Sequence, residues 1–172
     1  MNENSIQTDQ FLTEIIEEGR YADYAKASHE IWKTTKESQG WTYGIKRDNE
    51  KKTNPLMVDF EDLSAETKGQ NSLTPYAVVN FFRTEFGSAS LSELETVLEQ
   101  VGSGAIPKLI DKMGEYIHSH FVAAQLAKGD TVKSRDDLGI YERLSEDTRS
   151  WDTASALEVV KYLREKVHDA YR

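Results

Sequence analysis

Two stretches of this chain align without a gap. LSAETKGQNSLTPYAVVNFFRTEF, residues 63–86, lies over LSEDTRSWDTASALEVVKYLREKV, residues 144–167, at an offset of 81. Leu63 meets Leu144, Ser64 meets Ser145, Thr67 meets Thr148, Val78 and Val79 meet Val159 and Val160, and Arg83 meets Arg164. Upstream the offset is 89, and Tyr21, Tyr24, His29, Trp32 and Gly40 meet Ile110, Met113, His118, Phe121 and Gly129. A pattern written twice calls for two similar folding units, each needing the other to bury its apolar face. The change of offset makes the second unit shorter, and the loss falls within the region of residues 40–55. The second unit therefore keeps the scaffold and loses a loop.

Periodicity supplies the elements. Phe11, Leu12, Ile15 and Ile16 predict a short leading helix ending near Gly19, with residues 1–9 frayed. A longer helix is expected over 21–38. Residues 40–62 read as loop with extended pieces at Trp41–Tyr43 and Leu56–Phe60. Thr74-Pro75 is a cap followed by a proline at the first helical position, predicting a helix over 75–86. Ser90 with Glu93 is a capping box opening a helix over 91–101, and Pro107 starts another that runs to about 127. Ser155 with Glu158 reads as a second capping box, opening a last helix over 156–171 whose face carries Val160, Leu163, Val167 and Tyr171. The fold class is mainly α: tandem helical repeats with a short β hairpin or extended loop in the first. The divisions are a leading segment 1–19, a first unit 20–88, a connecting helix and turn 89–105, and a degenerate second unit 106–172.

Composition narrows the function. The chain has 172 residues, no cysteine and a net charge of -9. Without thiols there is no disulfide framework and no thiolate zinc site. The acidic balance argues against a nucleic acid polymer, which needs a surplus of Lys and Arg. MNENSIQTDQ has no basic stretch followed by an apolar run, so no signal peptide is expected. No apolar run approaches the ~20 residues of a membrane span, so neither is a membrane partner. His29 and His118 fall on helical stripes and read as core histidines, and His118 and His120 lie on different helix faces and make a poor metal pair. No metal site, no cofactor and no paired acid–base signature is expected, and the chain does not read as an enzyme.

The stretch GWTYGIKRDNEKKTNP, residues 40–55, stands apart. Between residues 33 and 55, Lys33, Lys36, Lys46, Arg47, Lys51 and Lys52 outnumber Glu37, Asp48 and Glu50, inside an acidic chain. The matching loop at 122–138 has three cations and three anions. A local positive patch can seat a small anion. Trp41 and Tyr43 offer faces on which a base stacks, and Arg47 can fork onto a phosphate or carboxylate. The same residues also fit a packing role: Trp41 and Tyr43 anchoring a long loop, Arg47 and Asp48 paired internally, Gly44 and Pro55 setting turns, Lys51 and Lys52 solvated. A pocket needs Trp41, Tyr43 and Arg47 to converge on an open cavity, and an anchor needs them packed shut.

His29-x-x-Trp32, Gly40-Trp41-Thr42-Tyr43-Gly44, Arg47-Asp48, Lys51 or Lys52, and Pro55, in that order, resemble the Ryr domain of ryanodine receptors, over residues 20–86. Residues 109–171 resemble a decayed second copy, with Asp130 and Val132 in place of Trp41 and Tyr43. The chain departs from the family pattern at Asn54, at Asp59-Phe60 and at Asn71-Ser72. The resemblance implies a helical fold with two short strands, in a bacterial or phage member with one intact and one degenerate repeat. It further implies a cytoplasmic sensor of a nucleotide-derived small molecule. The candidate ligand-binding set is Trp32, Trp41, Tyr43, Arg47, Asp48, Lys51, Lys52, Asn54 and Pro55. The expected function is non-catalytic capture of a small anion. The alternative is a structural or protein-interaction module, and a homodimer is compatible with either.

Overall fold

A computed structural model of the chain describes residues 7–171, and side chains through residue 170. It is mainly α, with one short pair of strands. The elements in order are α1 (Thr8–Glu17), α2 (Ala25–Ser38), β1 (Thr42–Tyr43), β2 (Thr53–Asn54), α3 (Ala65–Gln70), α4 (Leu73–Phe86), α5 (Leu91–Gly102), α6 (Pro107–Ala127) and α7 (Glu146–Tyr171). Short 3₁₀ turns at Arg20–Tyr24, Phe60–Asp62, Asp136–Leu138 and Tyr141–Arg143 join them. Among the described residues no helix is long and apolar enough to cross a membrane.

One core serves both halves. α7 packs against α2, α4, α5 and α6, and α1 packs on α4. Leu12 and Ile15 of α1, Val78 and Phe82 of α4, and Val160 and Leu163 of α7 all belong to one buried cluster. The cap at Ser90 forms as expected: its side chain accepts from the Glu93 amide and Glu93 reaches back to the Ser90 amide.

The geometry of the first half recurs in the second at the two sequence offsets. His29 Nε2 donates to the Val58 carbonyl at 2.8 Å, and His118 Nε2 donates to the Gly139 carbonyl at 2.8 Å. Ser64 caps α3 by accepting from the Thr67 amide at 3.1 Å, and Ser145 accepts from the Thr148 amide at 3.2 Å. Lys68 lies over the Phe60 ring as Arg149 lies over the Tyr141 ring. α2 and α6 both close on a left-handed glycine, Gly40 at φ 89 and Gly129 at φ 93, where a side chain would be strained.

Several expectations are corrected. α4 begins at Leu73 with Ser72 at its cap position, so Thr74 lies inside the helix and is no cap. The last helix begins at Glu146, not 156. Ser155 is therefore no cap: it is buried inside α7, and its hydroxyl donates to the Ser28 carbonyl at 3.3 Å. Pro75 gives the physical reason. It has no amide to donate to residue 71 and its ring crowds that carbonyl, so the first half breaks into α3 and α4 at Asn71-Ser72. Ala156 holds the matching place in the second half, and α7 runs through. The strand pair is parallel, with Thr42 opposite Thr53, so it is not a hairpin. Leu56–Phe60 forms no strand. The fraying expected through residue 9 is not seen at Thr8, which is fully buried, or at Asp9, whose amide donates to the Gly87 carbonyl at 3.0 Å. Residues 1–6 and the Tyr171 side chain lie outside the described residues.

If proline is what divides the first half, Ala156→Pro should break α7 in the middle of the core. Urea unfolding should then show a loss of ~3 kcal/mol or more. A loss below about 1 kcal/mol would mean α7 does not depend on its continuity there.

Candidate functional site

α2 ends at Ser38, and Gly40 turns the chain back so that the Trp41 amide donates to the Lys36 carbonyl at 3.0 Å. β1 follows. Gly44 then passes so close to β2 that a Cβ there would stand 2.6 Å from Cβ of Thr53, so only glycine fits. At the loop tip one Asp48 oxygen accepts from the amides of Glu50 and Lys51, each at 3.0 Å. Asp48 and Thr53 exchange both backbone hydrogen bonds at 3.0 Å. Asp48 thus shapes the turn, and Arg47 turns elsewhere.

The loop docks on the second half of the chain. The Arg47 guanidinium donates to Oδ2 of Asp137 at 3.0 Å. Arg135 forks onto the same carboxylate, Nε to Oδ1 at 3.0 Å and Nη2 to Oδ2 at 2.8 Å. Asp137 is 5% exposed. Burial works against its charge, but the Arg135 and Arg47 guanidiniums outweigh that and hold its pKa below the usual carboxylate range. Asn49 adds a bond to Asp136 at 2.7 Å. On the other side Gln39 ties the end of α2 to α7: its Oε1 accepts from Trp151 Nε1 at 2.7 Å and its amide donates to Ser150 at 2.9 Å.

Between these two ties lies an unusual amine. Lys36 is 1% exposed. Its Nζ sits 3.7 Å from the ring centroids of both Trp41 and Trp151, and 5.1 Å from that of Trp32. These are the three tryptophans of the chain. Trp41 and Trp151 meet edge to face with centroids 5.6 Å apart. The rings attract a cation, but they accept no ordinary hydrogen bond, and Nζ has no hydrogen-bond partner. Burial, reinforced by the charge of Arg47, pushes the Lys36 pKa down from 10.5 to about 7.

A cavity of about 510 Å³ opens between the halves, beside this cage. Trp32, His29 and Lys36 of α2 form one wall, with Arg47, Asn54 and Pro55 from the loop. His118 and Phe121 of α6, Arg135 and Asp137, and Trp151 and Asp152 of α7 form the facing one. The two histidines differ in their second neighbour. His29 Nδ1 meets the Asn71 amide at 3.5 Å, while His118 Nδ1 stands 3.6 Å from an Asp152 oxygen. Burial disfavours charge on His118, but Asp152 and the Gly139 carbonyl outweigh it and raise its pKa.

Of the nine candidate residues, the cavity brings together Trp32, Arg47, Asn54 and Pro55. Trp41 lies behind its wall, 6% exposed, with Lys36 over its face. Tyr43 is 58% exposed on the outer side of the loop. Asp48, Lys51 and Lys52 belong to the loop tip, where Lys52 donates to the Gln39 carbonyl at 2.8 Å. Asn54 is buried and accepts from the Leu56 amide at 2.8 Å. Lys36, Arg135, Asp137 and Trp151 also line the cavity and are not among the candidates read from the sequence. Lys36 did leave a signal. It follows His29 by seven positions and Trp32 by four, so it continues the buried stripe of α2.

The packing separates the two aromatics of GWTYG. Trp41→Ala should cost ~3–5 kcal/mol in urea unfolding, and Tyr43→Ala should stay within about 0.5 kcal/mol. Similar losses for both would contradict the burial. Lys36 predicts a pH effect. Its folded pKa is below its unfolded value, so the unfolded chain holds more protons between about 7 and 10.5. Stability from this group therefore rises with pH across that window and is level below it. Calorimetry of wild type against Lys36→Met should show wild type gaining melting temperature on the variant as pH rises through that range. A constant difference would place the amine in water.

The family model described as RyR domain matches residues 4–84, the stretch from the N-terminal region through most of α4. That part of the chain, the GWTYG loop included, is similar to the RyR domain.

Proposed function

We propose that the chain is a non-catalytic ligand-binding module whose inter-half cavity takes a small anionic, nucleotide-derived ligand. The observation that carries this reading is the lining of the cavity. Lys36, Arg47 and Arg135 set three cationic side chains against the Asp137 carboxylate in one region, and Trp32, Trp151 and Phe121 bring rings to the rest. A volume of about 510 Å³ suits a nucleotide-sized molecule. On this reading Trp32, Arg47, Asn54 and Pro55 contact the ligand, while Trp41 and the loop tip hold them in place. We read the second half as a degenerate RyR repeat supplying the facing wall, in a cytoplasmic protein of a bacterium or phage.

A protein-interaction module is the second reading. It is favoured by the exposed Tyr43 and by Ile45, 86% exposed beside it on the same loop.

A thermal-shift panel of mono-, di- and cyclic nucleotides and ADP-ribose derivatives tests the first reading. Trp32→Ala is the right companion variant, because Trp32 lines the cavity and Trp41 supports the fold. A ligand at about 100 times its dissociation constant should stabilise wild type by ~2.7 kcal/mol, and Trp32→Ala should lose that gain while remaining folded. A panel that leaves wild type unmoved would reject the nucleotide reading and favour the protein partner.

A further inference from the structure

We propose that the Lys36 amine, held in a cage of the chain's three tryptophans, is the group that receives the acidic end of the cavity's ligand. The proposal rests on the anion-binding reading above and names the donor within it. Three cations border this part of the cavity, and two are committed. Arg47 and Arg135 both bond Asp137, at 3.0 Å for the first and at 3.0 and 2.8 Å for the second. Lys36 alone of the three has no carboxylate and no hydrogen-bond acceptor. A buried polar group without a partner is costly, and a native fold rarely leaves one without a reason. The missing element is an acceptor, and an acidic ligand supplies one. The unbranched stem of lysine lets the amine turn from the ring faces to the cavity while Trp41 and Trp151 stay packed on each other.

The chemistry follows from the residue type. An ammonium is a compact point charge, unlike the planar fork of arginine. It fits a single compact anionic group, with the flat part of the ligand left to Trp32 and Phe121. The charged groups facing Lys36 are Arg47 from the loop and Arg135 and Asp137 from the Asp136–Leu138 region. The titratable His29 of α2, His118 of α6 and Asp152 of α7 line the same cavity. Burial and the guanidiniums pull the amine toward neutrality, and an arriving anion pulls it back toward charge, so binding takes up a proton.

Because the cage holds the three tryptophans, intrinsic fluorescence reports on this site. The probe is inorganic sulfate, which keeps its charge across the range. Wild type at about pH 6.5 should show a saturable change in tryptophan emission. At about pH 8.5 the half-saturating concentration should rise at least about tenfold, as an amine titrating near neutrality loses its proton. Lys36→Met should abolish the response. No saturable response in wild type at the lower pH overturns the assignment, and so does a Lys36→Met response like that of wild type. The pH arm uses wild type alone, so a variant that fails to fold still leaves a decision: equal affinity at both pH values overturns the proposal. The nucleotide panel separates the two readings. A nucleotide that stabilises wild type and Lys36→Met alike keeps the ligand-binding module and removes Lys36 from it.

Discussion

Asp137 receives two arginines from opposite halves of the chain, Arg135 across both its oxygens and Arg47 on one of them. The rest of the loop geometry depends on this. A carboxylate at such depth stays charged only if its partners replace the water it lost. Removing Arg47 would leave Asp137 with its own neighbour and take from the loop its main polar tie to the second half. The tie also fixes where the cavity opens, since Arg47 lies on one wall and Arg135 and Asp137 on the other. The Gln39 bonds to Trp151 and Ser150 do the same at the far end of the loop. Between the two ties the indoles of Trp41 and Trp151 have little room to separate, and the amine between them is almost wholly buried at the edge of the cavity.

The scaffold recurs, but its polar fittings do not. His29 and His118 make the same bond to a backbone carbonyl. Asn71 beside the first becomes Asp152 beside the second, and a neutral neighbour becomes one that favours a charged ring. Lys36 becomes Gln125, which accepts from Arg135 at 3.2 Å. Trp41 becomes Asp130, which stands 3.5 Å from Arg135. In the second half, then, the cation at this level is satisfied by its own neighbours. In the first half the Lys36 amine is surrounded by rings. The cavity inherits that imbalance.

Most of the fold was legible because it is written in helical period and caps. Ser90 with Glu93 marks its helix correctly, and α6 spans the expected residues 107–127. The failure at Ser155 shows the limit. Serine followed three residues later by glutamate fits a cap, but it fits a helix interior equally well when the residue beneath is Ala156 and not proline. The parallel strand pair was illegible, since two-residue strands carry no period and their direction is set by the Asp48 turn. The site divided in the same way. Trp32, Arg47, Asn54 and Pro55 come from a motif that the chain order displays. Arg135 and Asp137 come from the other half, in a segment whose charges balance, and nothing local marks them. Lys36 is in plain view, but along the chain it is one cation among six, and only its place on the α2 stripe sets it apart.

The two readings of the GWTYG stretch, pocket or anchor, turn out not to compete for the same residues. Trp41 is packed shut and holds the loop, and by holding it keeps Arg47 on the cavity wall. The harder question is why an anchor needs a lysine. For packing alone, a methionine or leucine at position 36 would fill the space between the rings without stripping an amine of water. Cation–π attraction offsets part of that cost, ~0.5–2 kcal/mol, yet burial still moves the pKa down to about 7. The rings also supply no hydrogen-bond acceptor in place of the water that is lost. A local conflict that packing does not resolve, placed beside an open cavity, is where a fold departs from its own stability for the sake of something that binds there. Lys36, a residue outside the motif, thus favours the anion reading more than the aromatics of the loop do.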